Sequence, residues 1–453
     1  MDLTIKNFFT HLIFYPKDVK EEDYYKYLCI SAGLGIFTGG LLHCAVGIGW
    51  MAKRTYVWVT GELSGKDEKI NRVKNEKLSV NLSSSKDADK PKNANRPKNA
   101  NKPKNANNPP DTIGKTDVSI INSSLRVVPT GPINWKKNFL HVDILNQRGY
   151  RLNGKIVKLR EPMIPKKIER NLTVSFETEV SSLKAQWVGF VEKTPKVHIK
   201  DATTDQAIND GEQHKIALNF ANEHHAGGGP GIYKDPASNQ IIWEGTASAQ
   251  AQEEALVNKT DLYSSLTLLP TTPEKRDGDT MVRNYYENGG FDSKTTVYTS
   301  DNQLFGIQAG DFYTTQFLEI PRDVSFVTSA AHHYGSHINV DVDENSMVYK
   351  DATERIRTHL YAAAKKAVEM KKQDASKQVE LILGAFGCGA FAPSNAEEYA
   401  KMIAEIYQKE LSQFNGFFDE ITFAIPKMGR IDPEDSFVRN YNAFNSVITC
   451  DDT

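Results

Sequence analysis

The run from Tyr27 to Ala52 contains no charged residue, and it constrains this chain more than any other segment. About 20 predominantly apolar residues are enough for a helix to cross the hydrocarbon core of a bilayer. The run is rich in glycine, which lipid tolerates because leaving the helix there exposes backbone groups that find no hydrogen-bond partner. The sequence therefore predicts a transmembrane helix at 27–52. The alternative is a helix buried in a protein core.

The charges around this run predict its orientation. Lys and Arg are more frequent in 53–77 than in the juxtamembrane segment 1–26, which favours a single-pass protein with its C-terminal bulk in the cytosol. Gly35 and Gly39 form a G-x-x-x-G pair. This pair either joins two such helices in a homodimer or arises by chance in a glycine-rich run.

The segment 53–111 has the composition of a linker. PKNAN occurs in it at 91–95, 97–101 and 103–107, with almost no apolar residue between the copies. Such a segment cannot bury enough surface to offset its ordering entropy, so we expect a disordered spacer. The alternative for its lysines is contact with phosphate or acidic lipid.

Composition excludes several classes of protein. The net charge of −2 excludes a generally basic nucleic-acid binder, because affinity for phosphate backbones needs an excess of Lys and Arg. The four cysteines form neither a disulfide framework nor a C-x-x-C zinc site. We therefore expect no nucleic-acid partner and no structural zinc site.

From residue 112 to the C-terminus, β-rich runs alternate with helical patterns. Predicted strands are Ile156–Leu159, Leu172–Glu177, Lys196–Lys200, Lys215–Phe220, Thr295–Thr299, Val324–Ser329, Val379–Ala385 and Glu420–Ile425. Predicted helices are Ala247–Leu262, Ala352–Lys372 and Ala396–Phe414. This alternation predicts an α/β fold, a three-layer α/β/α domain with a mixed central sheet and insertions.

Two glycine-rich loops each follow a predicted strand. The first reads NEHHAGGGPG at 222–231, and three consecutive glycines let backbone N–H groups approach an anionic diphosphate. It lacks the Lys-Ser/Thr of a P-loop and the spacing G-x-G-x-x-G. The second reads GAFGCGAF at 384–391 and leads toward a helix N-terminus, which is a good anion site. A plain glycine turn and a tight crossover are the simpler interpretations of the two loops.

Two adjacent carboxylates stand at the start of the helix that follows the first loop. Glu253 and Glu254 belong to the sequence AQAQEEA at 249–255. Neighbours in a helix do not share a face, so one could enter a cleft while the other is held elsewhere. Acidic residues at a helix start otherwise simply complement its dipole.

Together these segments resemble the microbial-type poly(ADP-ribose) glycohydrolase family of macrodomains. The similar segments are LNFANEHHAGGG at 218–229, AQEEALVNKTDLYSSL at 251–266 and LGAFGCGAFAPSNAEEYA at 383–400. Weaker similarity lies at 149–160 and 297–301, so the resemblance spans roughly 146–425. It implies a macrodomain at 112–453 that hydrolyses ADP-ribosyl bonds through an oxocarbenium-like state without a metal.

The resemblance also implies a role for individual residues. Glu254 would protonate the leaving oxygen and then activate water, and Glu253 would orient the ribose. The residues implied to bind substrate are Asn222, Gly227, Gly228, Gly229, Gln252, Gly387, Cys388, Gly389, Ala390 and Phe391. Among these, 387–390 would wrap the diphosphate, and Phe391 would pack on the distal ribose. The acid must stay protonated near neutral pH, which requires partial desolvation.

One departure from the family is an insertion at 230–251 between GGG and QEE. We expect a hairpin or flap there, with Tyr233 and Trp243 either covering the ribose mouth or forming surface decoration. A flap would favour an ADP-ribosylated protein over a poly(ADP-ribose) chain. Two further hypotheses stay open: a non-catalytic reader of ADP-ribose, and a scaffold that does not bind it.

In the segment AHHYGSH at 331–337, His333 and His337 stand four residues apart, which is a metal-like spacing only if the segment is helical. Gly335 favours a loop at the rim of the cleft instead. The membrane anchor and repeat linker would also suit a bacterial protein delivered to an organelle membrane of a host cell.

Overall fold

The computed structural model describes residues 125–134, 140–229, 231–243, 251–275, 282–311, 313–433 and 435–450. The chain divides into two compact units, 1–109 and 110–453, and all described residues belong to the second. The predicted membrane segment 27–52, its flank 1–26 and the linker 53–111 lie outside the described residues. Within the described part, no helix has the length and apolar character that crossing a membrane would require.

The strands and helices, in chain order, are as follows. The strands are β1 (Ile133–Asn134), β2 (Gly149–Leu152), β3 (Lys155–Lys158), β4 (Lys166–Glu169), β5 (Lys196–Lys200), β6 (His214–Ala221), β7 (Ile232–Lys234), β8 (Ile241–Trp243), β9 (Thr271–Lys275), β10 (Val282–Tyr286), β11 (Thr296–Gln308), β12 (Thr314–Ala330), β13 (Val379–Leu383) and β14 (Glu420–Ala424). The helices are α1 (Leu140–Gln147), α2 (Phe176–Ala185), α3 (Thr204–Asn209), α4 (Gln252–Val257), α5 (Leu262–Leu266), α6 (Met347–Gln373), α7 (Ala396–Leu411) and α8 (Ser436–Val447).

An 8-stranded mixed sheet forms the centre of the fold, in the order β4-β11-β12-β6-β13-β14-β5, with β1 added on β12. The strands from β12 to β5 run parallel, whereas β11 is antiparallel to both β12 and β4. Separate two-stranded sheets are formed by β2 with β3, β7 with β8, and β9 with β10. The mixed α/β class that the sequence predicts is confirmed.

Strand β6 has buried side chains on both faces, as expected for a central parallel strand. Ile216 and Leu218 pack in one core with α2, α6 and α7. Ala217 and Ala221 face a second core that contains residues of α1, α3, α4 and α5. Helices therefore cover both faces of the sheet, which gives three layers around one sheet.

Two predicted elements are wrong. Leu172–Glu177 is not a strand, because Ser175 begins α2 and its hydroxyl accepts the Thr178 N–H at 3.3 Å. The single helix predicted at Ala247–Leu262 is, in its described part, two short helices, α4 and α5. The break follows from side chains that bond to the backbone there, such as Thr260, whose hydroxyl donates to the Leu256 carbonyl at 2.8 Å.

Candidate active site

The carboxyl ends of β12, β6 and β13 meet at one edge of the sheet. Register pairs Ala330 at the end of β12 with Ala221 at the end of β6, and Ile382 of β13 with Ala217. Loops 222–231, 331–337 and 384–391 therefore start side by side. Ligands of parallel α/β sheets commonly bind in the crevice at this edge.

The first loop needs glycine at two successive positions. Gly227 and Gly228 have φ of +77° and +68°, where other residues are strained. A Cβ on Gly227 would lie 2.6 Å from the Tyr263 ring, and one on Gly228 would lie 2.4 Å from Oε1 of Glu254. The loop thus lies directly against the second carboxylate of the predicted pair.

Glu253 is held at the end of β6. Only 1% of this residue is exposed, and its carboxylate accepts the Asn222 N–H at 2.9 Å and Nδ2 of Asn219 at 3.1 Å. Burial, with a smaller contribution from the neighbouring Glu254, raises the pKa of Glu253 to about 8. The hydrogen bonds from Asn222 and Asn219 oppose this rise, because they favour the ionised form.

Glu254 has one bonded and one unbonded oxygen. Its Oε1 accepts the Gly229 N–H at 2.9 Å, whereas Oε2 is buried and has no hydrogen-bond partner among the described residues. Burial raises the pKa of Glu254, and the Gly229 N–H and the charge of Arg283 partly offset the rise. The protonated form that a general acid requires is therefore favoured.

Gln252 and Asn222 already use side-chain atoms to hold this arrangement. Gln252 donates to the Leu218 carbonyl at 2.6 Å and accepts the Phe220 N–H at 2.8 Å, so it fixes the start of α4 to β6. The Asn222 side-chain oxygen accepts the N–H groups of His224 and His225 at 2.9 and 3.1 Å. Both residues therefore shape the site even before any contact with a substrate.

The second loop, 384–391, places some of its residues in the protein interior and others at the surface. Gly387 has φ of +76°, and a Cβ there would lie 2.9 Å from Cβ of Ala331. The Cys388 side chain is buried in the core, which raises the pKa of its thiol, and its backbone N–H and carbonyl already bond to the Ala385 carbonyl and to Nδ2 of Asn440, each at 3.1 Å. Gly389 and Ala390 are exposed at the turn. Phe391 is half-buried.

The histidine cluster lies in a loop, as Gly335 predicts, and not in a helix. The His333 ring lies 4.9 Å from the Phe391 ring, measured between centroids. The Tyr334 N–H donates to the Phe391 carbonyl at 3.1 Å. Loop 331–337 therefore supports the residue that the family resemblance assigns to the distal ribose.

The sequence analysis missed Asn219 and Arg283. Asn219 is a polar residue within the apolar strand β6, and that position is the signal that could have found it. Arg283 lies on β10, which pairs with the first loop through the Ala226 N–H and the Asn284 carbonyl at 3.0 Å. No motif marks Arg283, because only this pairing brings it to the site.

The insertion contains the expected hairpin, formed by β7 and β8. Its described residues pack against the fold: Ile232 and Ile241 are buried in the second core. The Asn146 side chain of α1 donates to the Ile241 carbonyl at 2.7 Å and accepts its N–H at 2.8 Å. The Trp243 ring stands edge-on to His141 of α1 at 5.7 Å. This part of the insertion is thus a fixed hairpin on α1.

Comparison with known proteins gives structural matches alone. No family profile and no curated protein matches the sequence. Among solved structures, poly(ADP-ribose) glycohydrolase from Thermomonospora curvata aligns over 68% of this chain and 96% of its own, at 20% identity and a TM-score of 0.42. Its complex with the inhibitor ADP-HPD gives a TM-score of 0.41 at 20% identity, with the same coverage. The Deinococcus radiodurans poly(ADP-ribose) glycohydrolase in complex with ADP-ribose aligns over 62% and 92%, at 20% identity and a TM-score of 0.40.

Proposed function

We propose that this protein is an ADP-ribosyl glycohydrolase that removes ADP-ribose from ADP-ribosylated protein at a membrane surface. The observation that carries the proposal is the Glu254 carboxyl: it is buried, its pKa is raised, and Oε2 has no partner among the described residues. A buried polar atom without a partner is costly unless a ligand or water completes it. A substrate oxygen at this position would receive the proton of the acid.

Glu254 would act first as acid and then as base. It donates its proton to the acceptor oxygen as the bond from that oxygen to C1″ of the ribose breaks, and the bonding pair goes to the oxygen. The Glu254 carboxylate then takes a proton from water while the water oxygen bonds to C1″. Glu253, fixed by Asn219 and the Asn222 N–H, would accept a ribose hydroxyl. The products are ADP-ribose and the free acceptor, and Glu254 is protonated again.

The two loops would hold the rest of the ADP-ribose. The exposed turn at Gly389 and Ala390 suits the diphosphate, and the half-buried Phe391 ring suits packing on the distal ribose. Gly227 and Gly228 let the first loop pass close to the scissile bond. Poly(ADP-ribose) is a second substrate that the same site would accept, and the assay below separates the two.

The membrane part of the proposal rests on sequence. The uncharged run 27–52 would anchor the chain, the linker 53–111 would let the catalytic unit sample the cytosolic surface, and a G-x-x-x-G pair would allow a homodimer. In a bacterial protein delivered to a host, the membrane would be that of an organelle. Alkaline extraction of membranes from expressing cells should leave the full chain in the pellet and release a chain lacking 27–52.

The catalytic test measures free ADP-ribose released from mono- and poly-ADP-ribosylated protein by the full chain in detergent. Glu254→Gln should abolish release from both while ADP-ribose still binds. Glu410→Gln is the matched control and should still release ADP-ribose. Glu410 is also a buried glutamate, but it lies on α7 and pairs with Arg357 of α6 rather than with a residue of the site. Binding without release by the wild-type chain would make the protein a reader. Absence of both would make it a scaffold.

A further inference from the structure

Arg283 brings a positive charge to the acid. Its Nη2 lies 3.6 Å from the point that a Cβ on Gly229 would occupy, and Oε1 of Glu254 lies 3.8 Å from the same point. The guanidinium and the Glu254 carboxylate therefore flank one glycine of the first loop. The charge of Arg283 partly offsets the rise that burial causes in the pKa of Glu254.

This arginine has no anionic partner in the part of the chain that the structure describes. None of the ion pairs among the described residues includes it, and its buried Nε has no acceptor. Other arginines of the fold behave differently: Arg170 and Arg355 each bond to carboxylates. Half-buried guanidinium groups left without an acceptor are unusual, because desolvation of an unpaired charge is costly.

The position of Arg283 separates it from the loop assigned to the diphosphate. In that loop, Gly384 adjoins Phe220 of β6 and Gly387 adjoins Ala331. Arg283 instead adjoins Gly229, at the other end of the first loop, beside Oε1 of Glu254. The guanidinium thus lies on the side of the site where the proposed acid would meet the leaving oxygen.

We propose that Arg283 is a specificity-determining residue that binds an oxyanion carried by the acceptor, on the far side of the bond that Glu254 cleaves. A guanidinium binds a carboxylate or a phosphate through two parallel hydrogen bonds. The oxyanion is either the carboxylate that forms when the ester of an ADP-ribosylated glutamate is cleaved or a phosphate of the next unit of a chain. This inference rests on the proposed function, because it names the substrate class of the same site.

The chemistry of an acyl-linked substrate explains why a cation suits this position. When the bond from C1″ to an ester oxygen breaks, the bonding pair goes to that oxygen, which takes the proton of Glu254. Water then adds its oxygen to C1″ and returns a proton to Glu254, and the freed carboxylic acid loses its own proton to solvent and becomes a carboxylate. Arg283 would stabilise the charge that develops on the departing group, whereas a serine acceptor presents a neutral oxygen.

The test compares three substrates of the full chain: a peptide ADP-ribosylated on glutamate, the same peptide ADP-ribosylated on serine, and poly(ADP-ribose). Arg283→Gln should lower kcat/KM by about 10- to 100-fold on substrates whose acceptor carries the oxyanion, and by less than about threefold on the serine-linked peptide. Arg283→Lys, which keeps the charge and loses the two parallel bonds, should fall between. Arg322→Gln is the control, since Arg322, on β12, pairs with the exposed Glu212.

Each result has one meaning. A loss on the glutamate-linked peptide identifies a carboxylate, a loss on the polymer identifies a phosphate, and either supports the inference. An equal loss on all three substrates, or no loss on any, overturns it, because the arginine would then not distinguish acceptors. If wild-type chain releases no ADP-ribose from any substrate, the proposed function fails and the inference fails with it. If it does release ADP-ribose and Glu254→Gln abolishes the release, the function stands whatever Arg283 does.

Discussion

Gly228 is the residue whose replacement tests the geometry of the site most directly. An alanine Cβ at this position would lie 2.4 Å from Oε1 and 2.9 Å from Cδ of Glu254, against about 3.4 Å for an ordinary contact. Relief of this clash requires the carboxyl to move by roughly 1 Å. Displacements of that size near reacting atoms cost about a hundredfold in rate.

The same substitution also strains the backbone. Gly228 has φ of +68°, and an alanine in this left-handed region costs about 1–2 kcal/mol. Gly228→Ala should therefore lower kcat about a hundredfold and lower the unfolding free energy by that amount. Binding of ADP-ribose should change much less than kcat, because the diphosphate and distal ribose are assigned to loop 384–391.

Gly154→Ala is the matched control. Gly154 also has a positive φ, of +74°, but no atom lies within 4 Å of the Cβ that an alanine would add there. The assay is release of ADP-ribose over a range of substrate concentrations, together with urea unfolding of each variant. Wild-type kcat in Gly228→Ala would refute the reasoning, and so would equal losses in the two variants.

Two further predictions concern stability. Lys215 and Glu380 form an ion pair whose side chains are each 3% exposed, so Lys215→Met should lower the unfolding free energy by about 3–5 kcal/mol. Adding Glu380→Leu should restore most of the lost unfolding free energy in urea titrations. If the double variant recovers none of it, the unpaired Glu380 charge is not the cause of the loss. Burial raises the pKa of Glu253 from 4.5 to about 8, so its contribution to stability is complete below pH 4.5 and is lost as pH rises through 8. The unfolding free energy of wild type should therefore fall between pH 5 and 8 relative to Glu253→Gln, and parallel curves for the two proteins would contradict this.

Sequence pattern predicted the elements whose residues are buried on both sides or on one regular face. Strands β6, β13 and β14 appear as short apolar runs, and α6 and α7 appear as long periodic helices. The segment Leu172–Glu177 was predicted as a strand because its apolar and β-branched residues suit one. The feature that starts α2 there is a single hydrogen bond to the Ser175 side chain, which the apolar pattern does not show. The short helices α4 and α5 were merged because side-chain bonds to the backbone, such as that of Thr260, do not change the apolar pattern.

The site was predictable as far as its motifs extend. Glu253, Glu254 and the glycines belong to contiguous segments, and the structure brings these segments together at the edge of the sheet. Nothing in the sequence shows that Oε2 of Glu254 lacks a partner, because that depends on how the first loop folds over α4. The role of Gln252 in holding α4 to β6 was equally hidden, since two of its three partners are backbone groups of β6 and the third is the Thr204 hydroxyl of α3.

The insertion shows how packing can move a predicted function from one segment to another. Its aromatic residues, Tyr233 and Trp243, were the sequence's candidates for selecting a substrate, yet the hairpin that carries them is bonded to α1 through Asn146. The strand β10 instead pairs with the glycine loop and holds Arg283 against Gly229. A fixed cation beside the acid recognises charge on the acceptor, whereas a flap would recognise its bulk. Selection by charge is therefore the mechanism that this arrangement favours. Arg283→Lys and Arg283→Gln separate it from selection by size, because lysine keeps the positive charge that glutamine lacks.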